Sequence, residues 1–138
     1  MKMKVKLSPG AVMPLRAHPE DAGLDLFSMR DGYIYAGEHA IFDTGVHVAI
    51  PAGYVGLLTS KSGLMAKGIT SRGTIDSGYT GSIRAVLFNH GPEAYLVRTG
   101  DKITQLVLLP IITPELEVVE DLEATERGAG GFGSTGIS

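Results

Sequence analysis

From its start to about residue 109 the chain is cut into short β-branched and apolar runs divided by turn residues, and it offers almost no helical period. Residues 3–7 alternate charged and apolar side chains. The runs at 40–50, 54–59, 82–89 and 103–109 continue the strand pattern, and Pro51-Ala52-Gly53, His90-Gly91-Pro92 and Thr99-Gly100-Asp101 stand between them as turns. Gly45 predicts a bulge or kink within the 40–50 run. Only residues 62–67 read as helix, with Ser62 in the N-cap position. Short strands at regular spacing with one short helix predict an all-β chain, folded as a sandwich, jelly roll or barrel.

The 138 residues suit one domain with a real core. The expected division is a single β domain over 1–126 followed by a flexible glycine-rich arm over 127–138. No cysteine is present, which excludes disulfides, thiolate metal sites and cysteine nucleophiles. No apolar run reaches the ~18 residues of a membrane span, and Met1-Lys2-Met3-Lys4-Val5-Lys6 lacks a signal-peptide core, so a cytoplasmic protein with no membrane partner is expected. A net charge of −3 argues against nucleic acid as a partner. An anionic small ligand would need a local cationic pocket or a divalent metal.

The stretch Arg127-Gly128-Ala129-Gly130-Gly131-Phe132-Gly133-Ser134-Thr135-Gly136 joins a cation, a ring and two hydroxyls through glycines. Glycine loses the most backbone entropy on ordering, so such a run is either a disordered tail or a segment ordered by its ligand. For a ligand, Arg127, Ser134, Thr135 and the bare amides suit phosphate oxygens, and Phe132 suits a base. The G-x-G-x-x-G spacing over 128–133 has no room after it for the helix and acidic residue of a dinucleotide site, and no P-loop occurs.

Three internal segments carry chemistry-bearing residues. Gly73-Thr74-Ile75-Asp76-Ser77-Gly78-Tyr79-Thr80-Gly81 reads as a β-hairpin in which Asp76 either activates a water or caps a turn, and Tyr79 either packs on a sugar or fills a strand position. Ser60-Lys61-Ser62-Gly63-Leu64 leads from a strand into the short helix, a place for phosphate or an ordinary cap. Asp21 and Asp25 stand four apart, fitted either to a hydrated magnesium or to turn chemistry. His18, His39, His47 and His90 are too scattered for a zinc site.

Together these segments resemble the trimeric deoxyuridine triphosphatases. Five motifs match in order: Ala22-Gly23-Leu24-Asp25-Leu26; Lys61-Ser62-Gly63-Leu64 with Lys67-Gly68-Ile69; the 73–81 segment; Gly100-Asp101-Lys102-Ile103-Thr104-Gln105-Leu106; and the 127–136 tail. The resemblance implies a distorted jelly-roll subunit, a homotrimer with active sites shared between subunits, and hydrolysis of dUTP to dUMP and pyrophosphate with Mg2+. Such an activity limits uracil in DNA and supplies dUMP for dTMP synthesis. By motif matching, Asp76 orients the water that attacks the α-phosphorus, and Tyr79 packs on deoxyribose and refuses a 2′-hydroxyl. The backbone around Ile75 reads uracil. Ser62, Gly63 and Gln105 meet phosphates with Lys61 adding charge, and Asp25 reaches magnesium through water. The tail of a neighbouring subunit closes over the nucleotide, with Phe132 above uracil and Arg127, Gly133, Ser134 and Thr135 around the phosphates.

The second motif departs from the family, in which arginine usually stands where this chain has Lys61, so the charge is kept and the bidentate fork is lost. Two rival readings belong to other classes. The related dCTP deaminases place a catalytic glutamate where this chain has Val86, which cannot move a proton. A nucleotide-binding regulatory module, non-catalytic or with a dual role, is the second.

Overall fold

The computed structural model describes residues 1–133. These residues hold eleven strands and one short helix. The strands are β1 (Lys4–Leu7), β2 (Gly23–Phe27), β3 (Gly32–Ile34), β4 (His39–Asp43), β5 (Val46–Ala49), β6 (Tyr54–Thr59), β7 (Ile69–Ser71), β8 (Gly73–Ile75), β9 (Arg84–Asn89), β10 (Tyr95–Val97) and β11 (Lys102–Pro110), and α1 is Ser62–Met65. The larger sheets run β2-β11-β6-β8 and β4-β9-β7, and β1-β5 and β10-β3 form two-stranded ribbons. Every pairing is antiparallel. This is the all-β, jelly-roll-like architecture that the sequence predicts.

Strand period explains which side chains turn inward. Along β9, Ala85, Leu87 and Asn89 are buried while Arg84 and Phe88 face outward, as a pleat of period two requires. One core cluster gathers Leu26, Val46, Val48, Ile50, Leu58, Ile75, Ile83 and Leu106. A second gathers Ile34, Phe42, Ile69, Ala85, Leu87, Val97 and Ile103. Burying each large apolar side chain contributes about 1.5–3 kcal/mol.

Three local expectations are corrected. The 40–50 run is two strands in different sheets, because Gly45 between them sits at φ +66°. A Cβ there would fall 2.4 Å from Met29 Sδ and 2.7 Å from Ala11 Cβ, so the position breaks the strand and is not a bulge within it. The helix stops at Met65, and its N-cap is Lys61 with no side-chain capping bond, which leaves Ser62 in the first helical turn. Residues 73–81 do not form a hairpin: β8 pairs with β6, whereas β9 pairs with β4 and β7, so the loop between them crosses from one sheet to the other.

Strand structure ends at Pro110, and residues 111–133 form neither strand nor helix. Apolar side chains along this stretch are open to solvent, with Leu116 at 94% and Val118 at 98% exposure. No helix among the described residues is long and apolar enough to cross a membrane.

Candidate active site

The C-terminal end of β6 builds the first of two clefts. Gln105 on β11 stands opposite Asp25 of β2 on one side and Thr59 of β6 on the other, so three adjacent strands deliver their polar residues to one place. Asp25 is only 4% exposed. Its Oδ1 accepts from Lys61 Nζ at 2.5 Å, and Lys102 Nζ stands 3.5 Å from Oδ2, which compensates the burial of the carboxylate. Gln105 Nε2 donates to the Ser60 carbonyl at 3.2 Å.

Beneath this corner lies a lattice of hydroxyls. Ser60 Oγ donates to the Ser71 carbonyl (3.0 Å) and accepts from the Ser71 amide (2.9 Å). Ser71 Oγ meets Thr104 Oγ1 at 2.8 Å, and Thr104 Oγ1 donates to the Thr59 carbonyl at 3.0 Å. The chain therefore leaves β6 in a fixed direction, and Lys61 continues it in extended conformation (φ −73°, ψ 132°) before α1 begins. The cleft, about 260 Å³, is walled by Asp21, Asp25, Lys61 and Gln105. Gly63 has nothing within 4 Å of where a Cβ would sit, so its backbone is open to approach.

A second cleft, about 390 Å³, is lined by Thr74, Ile75, Asp76, Tyr79, Ser82 and Arg84. Buried Ile75 anchors the end of β8, and Asp76 emerges from it into solvent. The Tyr79 amide donates to the Asp76 carbonyl at 3.0 Å, closing a turn. The phenol of Tyr79 folds back to donate to the Ser82 carbonyl at 2.8 Å. Glycine at 81 permits this fold, since a Cβ there would lie 2.5 Å from the phenol oxygen. Arg84, not singled out in the sequence, adds a cation to this cleft; as an outward-facing charge on a strand it had no motif to mark it. Lys102 was likewise passed over, although it lies within the fourth motif.

Asp25, Lys61 and Gln105 are thus brought together, as are Ile75, Asp76 and Tyr79, but the two groups are not. Ile75 stands opposite Gly56 near the start of β6, and Lys61 follows its end. Five residues of extended chain separate these levels of the backbone by about 16 Å. Arg127 donates Nε to the Gly130 carbonyl at 2.8 Å, Phe132 is wholly exposed, and neither lines either cleft. Gly133 has φ +71°, and Ser134 and Thr135 lie outside the described residues. Val86 sits on β9 opposite Ile41.

For magnesium, the donor chemistry is selective about mode. Among the described residues no group of three or more His, Asp or Glu side chains converges to hold a metal. Asp25 is one hard oxygen donor already sharing its charge with two lysines, which fits contact through water with phosphates as the inner ligands.

Comparisons with known proteins bear on the family and the fold. A family model described as dUTPase matches residues 10–136. The deoxyuridine 5'-triphosphate nucleotidohydrolase of Clostridium acetobutylicum is 41% identical over 99% of this chain and 97% of its own. That of Cutibacterium acnes is 47% identical over 91% of this chain and 86% of its own. Among solved structures, Staphylococcus bacteriophage 80alpha dUTPase with dUPNHPP superposes with a TM-score of 0.92 at 38% identity, covering 99% of both chains. A mutant dUTPase from phage phi11 of S. aureus, described as coordinating a structural Mg(II) ion, superposes at 0.82 with 37% identity, covering 90% of this chain and all of the other. Motif order, fold and sequence identity over nearly the whole length lead to one conclusion: the chain belongs to the dUTPase family.

Proposed function

We propose that this protein is a dUTP diphosphatase whose active site is assembled from more than one copy of the chain. Asp76 accepts a hydrogen bond from a water and takes its proton as the water oxygen attacks the α-phosphorus. The bond from that phosphorus to the α,β-bridging oxygen breaks, and pyrophosphate leaves with the electron pair. Tyr79 supports the deoxyribose, and the backbone at Ile75 and beyond reads uracil. Lys61, Ser62, Gly63 and Gln105 hold the phosphates, while Asp25 reaches magnesium through water. When bound, magnesium neutralises the triphosphate and the developing charge on the leaving group.

What supports a shared site is that Ile75 pairs near the start of β6 while Lys61 follows its end, about 16 Å of backbone away. Asp76 and the phosphate corner line separate clefts of the chain, an arrangement in which the corner of one copy serves the Asp76 cleft of another. A homotrimer satisfies this by closed rotational symmetry. The exposed apolar stretch over 111–122 and the arm carrying Arg127, Phe132, Gly133, Ser134 and Thr135 would then reach a third surface and cover the nucleotide. On this reading the enzyme works in the cytoplasm on the free nucleotide pool.

Pyrophosphate release measured with magnesium from dUTP, dCTP, dTTP and UTP in parallel tests the activity. Turnover of dUTP alone is expected. No turnover of any nucleotide, with dUTP still raising the melting temperature, would replace the enzyme by a binding module.

A further inference from the structure

We propose that Asp43 and His47, which line neither cleft, are positioning residues that hold Tyr79 in place and so set how strictly the enzyme refuses ribonucleotides. The inference rests on the reading of Tyr79 as the residue that packs on the sugar.

Residues 76–80 are all exposed, and no core contact fixes the loop until Ile83, which is fully buried. Ile83 is clamped by the connection between β4 and β5: its carbonyl accepts from the Thr44 amide (3.0 Å) and the Thr44 hydroxyl (2.7 Å), and its amide donates to the Val46 carbonyl (2.8 Å). Asp43 and His47 extend that clamp toward Tyr79. Ser82 Oγ donates to Asp43 Oδ1, and the Gly45 amide donates to the same oxygen at 2.9 Å. Ser82 is also the residue whose carbonyl accepts the Tyr79 phenol.

On the other side, His47 Nδ1 bonds the Thr80 carbonyl at 2.9 Å. A carbonyl only accepts, so Nδ1 carries the proton. In the neutral ring Nε2 is then an acceptor, filled by the Ser8 hydroxyl at 3.1 Å. His47 is therefore held at both nitrogens, between Ser8 just beyond β1 and the loop. Asp43 grips Ser82, whose carbonyl holds the Tyr79 phenol, and His47 grips Thr80, the next residue in the chain, so the two fix the backbone that carries the ring. A ring released from this hold has room to move aside, and the space for a 2′-hydroxyl opens.

The test is steady-state kinetics on dUTP and UTP for the wild type, Asp43→Ala, His47→Ala, His47→Asn and Tyr79→Ala, with melting temperatures alongside. Loss of these hydrogen bonds is expected to lower the ratio of kcat/KM for dUTP over UTP by about tenfold in His47→Ala and Asp43→Ala, mainly through KM. His47→Asn, whose amide N–H occupies the place of Nδ1–H, is expected to restore most of the ratio. A purely structural role would lower the melting temperature and scale both substrates alike, and an unchanged ratio in both Asp43→Ala and His47→Ala would overturn the proposal. If Tyr79→Ala relaxes selectivity while those two variants do not, only this inference fails. If Tyr79→Ala leaves the ratio unchanged, the reading of Tyr79 fails and takes the inference with it.

Discussion

The two clefts are built in opposite ways. At the end of β6 the corner around Asp25 is assembled by three neighbouring strands, crossed by a hydroxyl lattice and closed by two lysines on one buried carboxylate. The Asp76 loop, by contrast, crosses between sheets with exposed side chains and is tied down by a few polar contacts. A corner fixed this way is ready for phosphates before they arrive, because its strand register already sets the positions of its donors. The loop leaves Asp76 where solvent reaches it, and in the proposed mechanism it needs cover from elsewhere before water is controlled.

This contrast can be broken most severely at Asp76. Asp76→Asn removes the proton acceptor and nothing that holds the fold, so kcat should fall by about two to four decades while dUTP still raises the melting temperature. Near-normal turnover would remove Asp76 from the mechanism. The need for cover is tested next: Phe132→Ala loses a stacking contact worth about 1–3 kcal/mol, and dUTP binding measured by calorimetry should weaken by one to two decades. Binding as tight as in the wild type would leave Phe132 outside the site.

A smaller effect is expected at the corner. Lys61→Met leaves Asp25 to Lys102 alone, and after allowing for the solvent that reaches Lys61 the fold should lose about 1–2 kcal/mol in denaturant unfolding, with a raised KM for dUTP. Lys61→Arg should keep stability and lower that KM, since the guanidinium fork suits phosphate better than an ammonium.

The smallest expected effect concerns acid. Burial pushes the Asp43 carboxyl upward, but the Ser82 hydroxyl, the Gly45 amide, Arg84 and His47 together outweigh it and hold the group below its ordinary value of 3.8. Asp31 is lowered likewise by the Thr99 amide and hydroxyl. A carboxyl lowered on folding stabilises the fold above its unfolded value, and that contribution is lost as pH falls through the folded value. Melting temperatures should therefore drop below about pH 4, and Asp43→Asn should make the drop shallower. An identical acid limb in that variant would show that the ionised Asp43 carboxylate adds no acid-sensitive stability.

How much of this was legible depends on the range of the interaction involved. The 54–59 run is β6 residue for residue, and 103–109 lies inside β11, because alternating burial writes itself into local sequence. Three-residue strands such as β3, β7 and β10 are too short to show a period, and β2 is hidden because Asp21 and Asp25, four apart around Gly23, also read as turn chemistry. Pairing partners are non-local, which is why 73–81 looked like a hairpin although its flanking strands belong to different sheets. In the site, motif order marked Asp25, Lys61, Asp76 and Tyr79. It could not mark Asp43 or His47, which act through Ser82 and Thr80 across more than thirty positions. The one local signal for Asp43 was its place two residues before Gly45, the spacing of a side chain that bonds its own turn.

The central claim is that Asp76 and the Lys61 corner of different chains serve one nucleotide. Subunit mixing tests it directly: Asp76→Asn is combined with a Lys61→Met, Gln105→Ala double variant, each inactive alone, by co-refolding at equal amounts. Random assembly gives about one quarter of the sites an intact Asp76 from one chain and an intact corner from another, so dUTP turnover should return to about that share of the wild-type rate. If the mixture stays as inactive as its parents although mixed oligomers form, each site lies within a single chain and the account is wrong.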